Sequence, residues 1–200
     1  MVDIVGFTGA AGSGKDTAAQ ALPEYVQVRF AEPVYWGVLA LDPVIDVVCE
    51  EDSYSDSYSF YRLSELVASV GWDKAKEDPE VRRLLQVYGT ESGRDIHGKD
   101  CWINIAKNRI RQHLTEAKRV KVTDVRFENE ALALAGLKAC IIRVVGPQRR
   151  EGVDSSHASE AGITDAFVSW TVVNDGTVED LHRKVRYCVE QGCNKECVTI

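Results

Sequence analysis

The run Gly9-Ala10-Ala11-Gly12-Ser13-Gly14-Lys15-Asp16-Thr17 satisfies G-x4-G-K. It lies between an apolar stretch, Ile4–Thr8, and an alanine-rich stretch, Thr17–Leu22, that Pro23 closes. Strand, glycine loop and helix in that order are the context in which such a loop closes round phosphate. Glycines let successive main-chain N–H groups turn inward around an anion. The helix start adds its positive end, and a lysine brings a mobile full charge to the outer phosphate oxygens. Gly9, Ala11, Gly12, Ser13, Gly14, Lys15, Asp16 and Thr17 are the candidate contacts to a nucleotide's phosphates, with Lys15 in a catalytic role. One position departs from the pattern, because Asp16 stands where Ser or Thr is expected and the hydroxyl of Thr17 follows one residue late. A carboxylate there suits the helix dipole but competes with phosphate.

The loop needs a scaffold, and the rest of the chain reads as one. Tyr25–Phe30, Val120–Val125, Ala139–Val145 and Trp170–Val173 read as strands. Val34–Leu41, Arg62–Val70, Pro79–Tyr88, Trp102–Leu114, Glu128–Ala135 and Val178–Gln191 read as helices, the last ending at Gly192. Strands separated by helices imply βαβ units, hence an α/β fold with a central parallel sheet of about five strands and helices on both faces. The acidic stretch from Asp42 to about Phe60 reads as an insertion, and 146–164 as a polar, loop-like segment. No second composition regime is visible, so residues 1–200 read as one domain.

The composition agrees. Of 200 residues 44% are hydrophobic and 28% charged, which is globular. A chain this long buries roughly 70–75% of its unfolded surface and needs no staple. Six cysteines (Cys49, Cys101, Cys140, Cys188, Cys193, Cys197) therefore read as free thiols. The terminal C-x4-C-x3-C lacks the paired spacing and fourth ligand of a zinc site. Lys plus Arg number 24 against 31 Asp plus Glu, a net charge of −7, which disfavours an extended nucleic-acid-binding face. A start without a basic leader, and no run near the ~18 apolar residues of a membrane span, imply an intracellular protein with no membrane partner. No N-K-x-D is present for guanine; the one Asn-Lys pair is Asn194-Lys195-Glu196-Cys197. What remains is a small phosphotransferase with a second, acceptor-binding surface.

Lys15-Asp16-Thr17 resembles the G-x-x-G-x-G-K-x-T signature of adenylate-kinase-like enzymes, which makes Thr17 the candidate on the Mg2+ side of the loop. Further blocks follow in order: Phe30-Ala31-Glu32-Pro33, Gly71-Trp72-Asp73-Lys74-Ala75-Lys76, Pro79 to Gln86, Gly89-Thr90-Glu91-x-Gly93-Arg94 and Asp100-x-Trp102. Then come Thr123-Asp124-Val125-Arg126-Phe127-x-Asn129-Glu130, His157-Ala158-Ser159-Glu160 and Asn174-Asp175-Gly176-Thr177. The set resembles the deoxynucleoside monophosphate kinases of tailed bacteriophages from the phosphate loop to about Leu181.

The resemblance implies an α/β P-loop kinase fold, ATP and Mg2+ as donor and cofactor, and a deoxynucleoside monophosphate (dNMP) as acceptor for DNA precursor synthesis. It implies a cytoplasmic location, the host's if the chain is phage-encoded, and leaves room for a homodimer. Arginine grips phosphate with a planar, permanently charged fork. Arg94 and Arg126 are thus the candidates for the acceptor phosphate, with Gln86 and Thr90 reading base or sugar. Phe30, Glu32 and Trp102 line the acceptor pocket in this reading, Glu32 standing where the family often has Asp. Asp124 resembles the acid that holds Mg2+ through water, although Lys121 interrupts its strand. The plainer alternatives are a helix cap for Asp124, an ion pair with Glu128 or Glu130 for Arg126, and a solvated loop position for Arg94. Residues 42–78 become an acceptor-side helical insertion and 146–165 a lid, whose Arg149 and Arg150 either close on the donor phosphates or form a basic loop. Asn174 and Gly176 meet the donor's adenine or form a plain turn. His157 reads as orienting or structural, since an anionic acceptor needs no base. Two other functions stay open: a kinase for a ribonucleoside monophosphate or dephospho-coenzyme A, and an ATP-binding regulator without turnover.

Overall fold

A computed structural model describes residues 2–52, 55–146, 163–192 and 198–200, with backbone alone for those between 48 and 58. The chain begins β1 (Ile4–Thr8), α1 (Lys15–Ala19), β2 (Val26–Val28) and α2 (Glu32–Leu41). Next come β3 (Val44–Asp52), β4 (Ser55–Arg62), α3 (Leu63–Ala75), α4 (Pro79–Gln86), a π-helix (Val87–Arg94) and a single turn, α5 (Asp95–His97). The rest is α6 (Cys101–Thr115), β5 (Val120–Val122), α7 (Glu128–Gly136), β6 (Cys140–Val145), a 3-10 turn (Asp165–Phe167), β7 (Trp170–Val173), α8 (Val178–Gln191) and β8 (Val198–Thr199). Two compact units result: residues 1–30 with 103–200, and residues 31–102.

The first unit is built on a sheet of order β2-β5-β1-β6-β7-β8 in which every pairing is parallel. All five residues of β1 are buried, as a central parallel strand covered on both faces requires. Its side chains alternate between two cores. Val5 and Phe7 join Ala18 and Ala19 of α1 and Leu181 and Val185 of α8, whereas Ile4 joins Ile110 of α6 and Leu134 of α7. The α/β architecture is as expected; the strand count is six because two residues, Val198–Thr199, add an edge to β7. So short a strand leaves no periodic signal to read.

Several bounds differ from the sequence reading. The strand expected over Val120–Val125 stops at Val122, which leaves Asp124 beyond its end. Helix α8 runs as expected because Thr177 caps it: its Oγ1 accepts from Asp180 N at 3.1 Å while Asp180 Oδ2 accepts from Thr177 N at 3.2 Å.

The second unit holds helices around a small core of Val38, Leu63 and Val81. Helix α4 starts where Asp78 Oδ1 accepts from Glu80 N (2.8 Å) and Val81 N (3.1 Å), with Pro79 in the first turn. The stretch 42–78 is helical only from Leu63; before that lies an antiparallel hairpin, β3 paired to β4, with Val47 opposite Phe60. Its acidic residues mask the period-two pattern by which strands are recognised. Among the described residues no helix is long and apolar enough to cross a membrane.

Candidate active site

Main-chain geometry explains the glycines of the loop. Gly9 has φ 141°, and a Cβ there would collide with the Val144 carbonyl of β6. Gly14 has φ 98°, and its Cβ would fall 2.5 Å from Asn174 Nδ2. Both positions combine left-handed backbone with close approach, which only glycine tolerates. Ser13 Oγ is buried with no partner among the described residues, which is uncommon for a buried polar atom. Lys15 folds back, its Nζ donating to the Gly9 and Ala10 carbonyls at 2.7 Å each. Burial holds this ammonium below its usual pKa; Arg126 adds to the depression and Asp16 opposes it. Lys15 and Arg126 therefore act within one field.

Beyond β5 the chain turns sharply. Asp124 Oδ1 accepts from Phe30 N at 3.0 Å, joining the ends of β5 and β2 at the carboxyl edge of the sheet, where ligands of α/β folds bind. The Phe30 side chain is buried in the core, so what it presents at this edge is backbone. Arg126 is exposed. The carboxylate of Glu130, itself buried, accepts from the Arg126 and Phe127 main-chain N–H groups at 2.7 and 3.0 Å, and Glu128 accepts from Thr164 N at 2.6 Å. The neighbours proposed as ion-pair partners of Arg126 thus shape the turn that presents it. Thr17, half-buried in α1, offers its carbonyl to His182 Nε2 at 2.8 Å.

Asn174 follows β7, but its amide faces the loop and donates to the Ser13 carbonyl at 3.0 Å. Gly176 lies exposed at the start of the turn into α8. Arg149, Arg150 and His157 lie outside the described residues.

In the second unit Gln86 ends α4 and Thr90 lies on the π-helix, both exposed, while Arg94 closes that helix half-buried. Glu32 opens α2. Trp102 is a support rather than an open face: Nε1 donates to the Gly89 carbonyl at 2.8 Å, and the ring packs on Gly93, where a Cβ would collide with it. Tyr88 stacks beside it, ring centroids 5.7 Å apart. π-helical turns are rare and frequent at functional sites.

Two residues escaped the sequence reading of the site. Arg29, at the end of β2, donates from Nε to Thr123 Oγ1 at 3.3 Å. Lys121, noted only as an interruption of its strand, is buried with Nζ on the Ala19 and Leu22 carbonyls at 3.0 and 2.9 Å, bracing the exit of α1. A lysine inside an apolar strand was the signal.

The family described as deoxynucleotide monophosphate kinase matches residues 39–185. The deoxynucleoside-5'-monophosphate kinase of Escherichia phage T5 is 24% identical over 227 residues, covering 87% of this chain and 90% of its own. The deoxynucleotide monophosphate kinase of Enterobacteria phage T4 is 23% identical over 145 residues, covering 72% and 58%. Among solved structures, dephospho-CoA kinase from Campylobacter jejuni aligns over 96% of this chain and 97% of its own at 12% identity, with a TM-score of 0.42. With 147 of its 200 residues matched, the chain belongs to the deoxynucleotide monophosphate kinase family and is a phosphotransferase that acts on nucleotides.

Proposed function

We propose that the protein transfers the γ-phosphoryl group of ATP to a dNMP, giving ADP and a deoxynucleoside diphosphate for DNA synthesis. The observation that carries the donor side is Lys15, whose ammonium spans the Gly9 and Ala10 carbonyls in a loop whose Ser13 hydroxyl has no partner among the described residues. An incoming phosphate gives Ser13 its acceptor and Lys15 a full countercharge. The names of the phage relatives support the acceptor class.

The chemistry asks for position and positive charge rather than a covalent residue. In this reading the loop N–H groups and Lys15 hold the β and γ phosphates, and Arg126 meets charge that develops on the transferred group. Arg94 grips the acceptor phosphate, and Gln86 and Thr90 read its base or sugar. Glu32 lies at the entrance of the acceptor segment. Residues 42–78 serve the acceptor, and 146–165, with Arg149 and Arg150, the donor phosphates. The Thr17 hydroxyl and Asp124 carboxylate are hard oxygen donors of the kind Mg2+ takes alongside nucleotide phosphates and water, and they are the residues that would hold it. Bound there, the ion offsets phosphate charge. The acceptor oxygen is already anionic at neutral pH, so no side chain need remove a proton.

Coupled measurement of ADP release with ATP, Mg2+ and each dNMP in turn tests this. ADP release that depends on a dNMP is expected. Release driven only by ribonucleoside monophosphates or dephospho-coenzyme A would reassign the acceptor, and ATP binding without acceptor-dependent release would make the protein a regulator.

A further inference from the structure

Asp16 is where the loop departs from its pattern, a carboxylate directly after the phosphate-binding lysine. Its side chain is 76% exposed in the first turn of α1, and its charge is felt at the Lys15 ammonium. A carboxylate so placed repels the anion the loop is shaped to collect. A countercharge stands beside it: Arg29 NH2 lies 3.7 Å from Asp16 Oδ1.

That guanidinium is held by groups other than Asp16. Nε donates to Thr123 Oγ1 at 3.3 Å, and Thr123 is only 4% exposed, in the turn that leads to Asp124. With the Gln27 amide oriented so that its oxygen faces the guanidinium, Nε and NH2 both lie 2.7 Å from that oxygen. Gln27 of β2 and Thr123 in the turn after β5 thus fix the cation from behind. An arginine free to wander loses as much side-chain entropy as an exposed pair returns; one already anchored does not.

We propose that Arg29 is a positioning residue of the donor site, which offsets the charge of Asp16 beside the phosphate loop and so sets donor affinity. The assignment rests on the reading of that loop as a nucleotide site. It explains how an acid is accommodated next to Lys15: the local charge of the pair is neutral, and the loop N–H groups and Lys15 face the phosphates without a net opposing field.

Equilibrium titration with ADP, without acceptor or metal, tests the idea on the wild type, Arg29→Gln, Asp16→Asn and the double variant. Arg29→Gln is expected to bind ADP roughly two- to fivefold more weakly, the range open to an exposed charge pair. The loss should shrink as salt is raised. In the Asp16→Asn background the same Arg29→Gln change should alter affinity less than about twofold, because there is no charge left to offset. Arg29→Lys, which keeps the charge without the fork, should stay near wild type and serves if Arg29→Gln does not fold. Unchanged affinity in Arg29→Gln overturns the proposal. So does a loss of equal size with Asp16 replaced, which would make Arg29 a direct ligand contact or a fold element, and so does weak binding by Arg29→Lys. Wild-type protein that binds no ADP would overturn the nucleotide-site reading itself, whatever the variants do.

Discussion

The side-chain amide of Asn174 donates to the Ser13 carbonyl at 3.0 Å and fills the space that a Cβ on Gly14 would need. A residue 161 positions away thereby sets the curvature of the phosphate loop. Asn174 is held in turn, since its own N–H donates to the Val145 carbonyl at 2.7 Å. Lys184 Nζ bonds the Val173 carbonyl at 2.9 Å and Asp175 at 3.1 Å on either side of it. The alternatives of adenine contact and plain turn for this segment both miss the brace that the amide makes.

Replacing Asn174 by Ala removes one neutral hydrogen bond, worth about 1 kcal/mol net, so ADP should bind roughly fivefold more weakly. Asn174→Asp sets a carboxylate against the Ser13 carbonyl and should cost more. Calorimetric titration with ADP compares the three proteins; equal affinities would leave the brace without consequence for the loop.

Lys121 makes a prediction about pH. Burial lowers its pKa from 10.5, with Glu24 opposing. The folded protein therefore releases this proton at lower pH than the unfolded chain does. Between the folded value and 10.5 the unfolded state binds more protons, so this group makes stability rise with pH across that window. Lys121→Met lacks the buried charge, and the Ala19 and Leu22 carbonyls keep main-chain donors at 3.2 Å from Leu22 and Tyr25. Near neutral pH the variant should be within about 1 kcal/mol of wild type or more stable. Its advantage should shrink as pH climbs toward 10.5. Urea denaturation of both proteins at a series of pH values reads the difference directly.

Thiol reactivity offers a simpler check. Burial pushes the Cys188 thiol up to about 12, and Cys140 is fully buried. Only the thiolate alkylates readily. Treated with iodoacetamide at neutral pH and mapped by mass spectrometry, both should stay unmodified until the protein is unfolded, whereas the half-buried Cys101 should react before them.

What could be read in advance followed from local rules. Helix α8 was legible from its own pattern and its stop at Gly192, because a stop is short-range chemistry, and β7 because its residues are nearly all apolar. The order of strand, glycine loop and helix over β1 and α1 was legible for the same reason. Long-range pairing was not. The hairpin β3–β4 hid behind acidic residues, and Gly89 and Gly93 belong to a π-helix closed by a tryptophan outside it. Thr123, the partner of Arg29, and Ser13, the partner of Asn174, lie in distant loops, and sequence spacing does not encode them. Nor does periodicity separate a lysine that spoils a strand from one whose ammonium closes on two carbonyls beneath it, as that of Lys121 does.

The Trp102–Gly93 contact allows the acceptor side to be tested apart from the donor side. Gly93 is buried against the indole, and a methyl group there would collide with the ring. Gly93→Ala must displace Trp102 or open the π-helix, an overpacking cost of about 1–3 kcal/mol. Trp102→Phe keeps most of the ring but leaves the Gly89 carbonyl without its 2.8 Å donor, at about 1 kcal/mol. Both changes act on the helix that carries Thr90 and Arg94, and neither touches the phosphate loop's own residues. If those two side chains hold the acceptor, initial rates should give a raised KM for dNMP, by several-fold in Gly93→Ala and less in Trp102→Phe. KM for ATP should stay within about twofold of wild type, because the loop, Lys15 and Asn174 are unaltered. A rise in both KM values together, or in the ATP value alone, would remove the π-helix from acceptor binding.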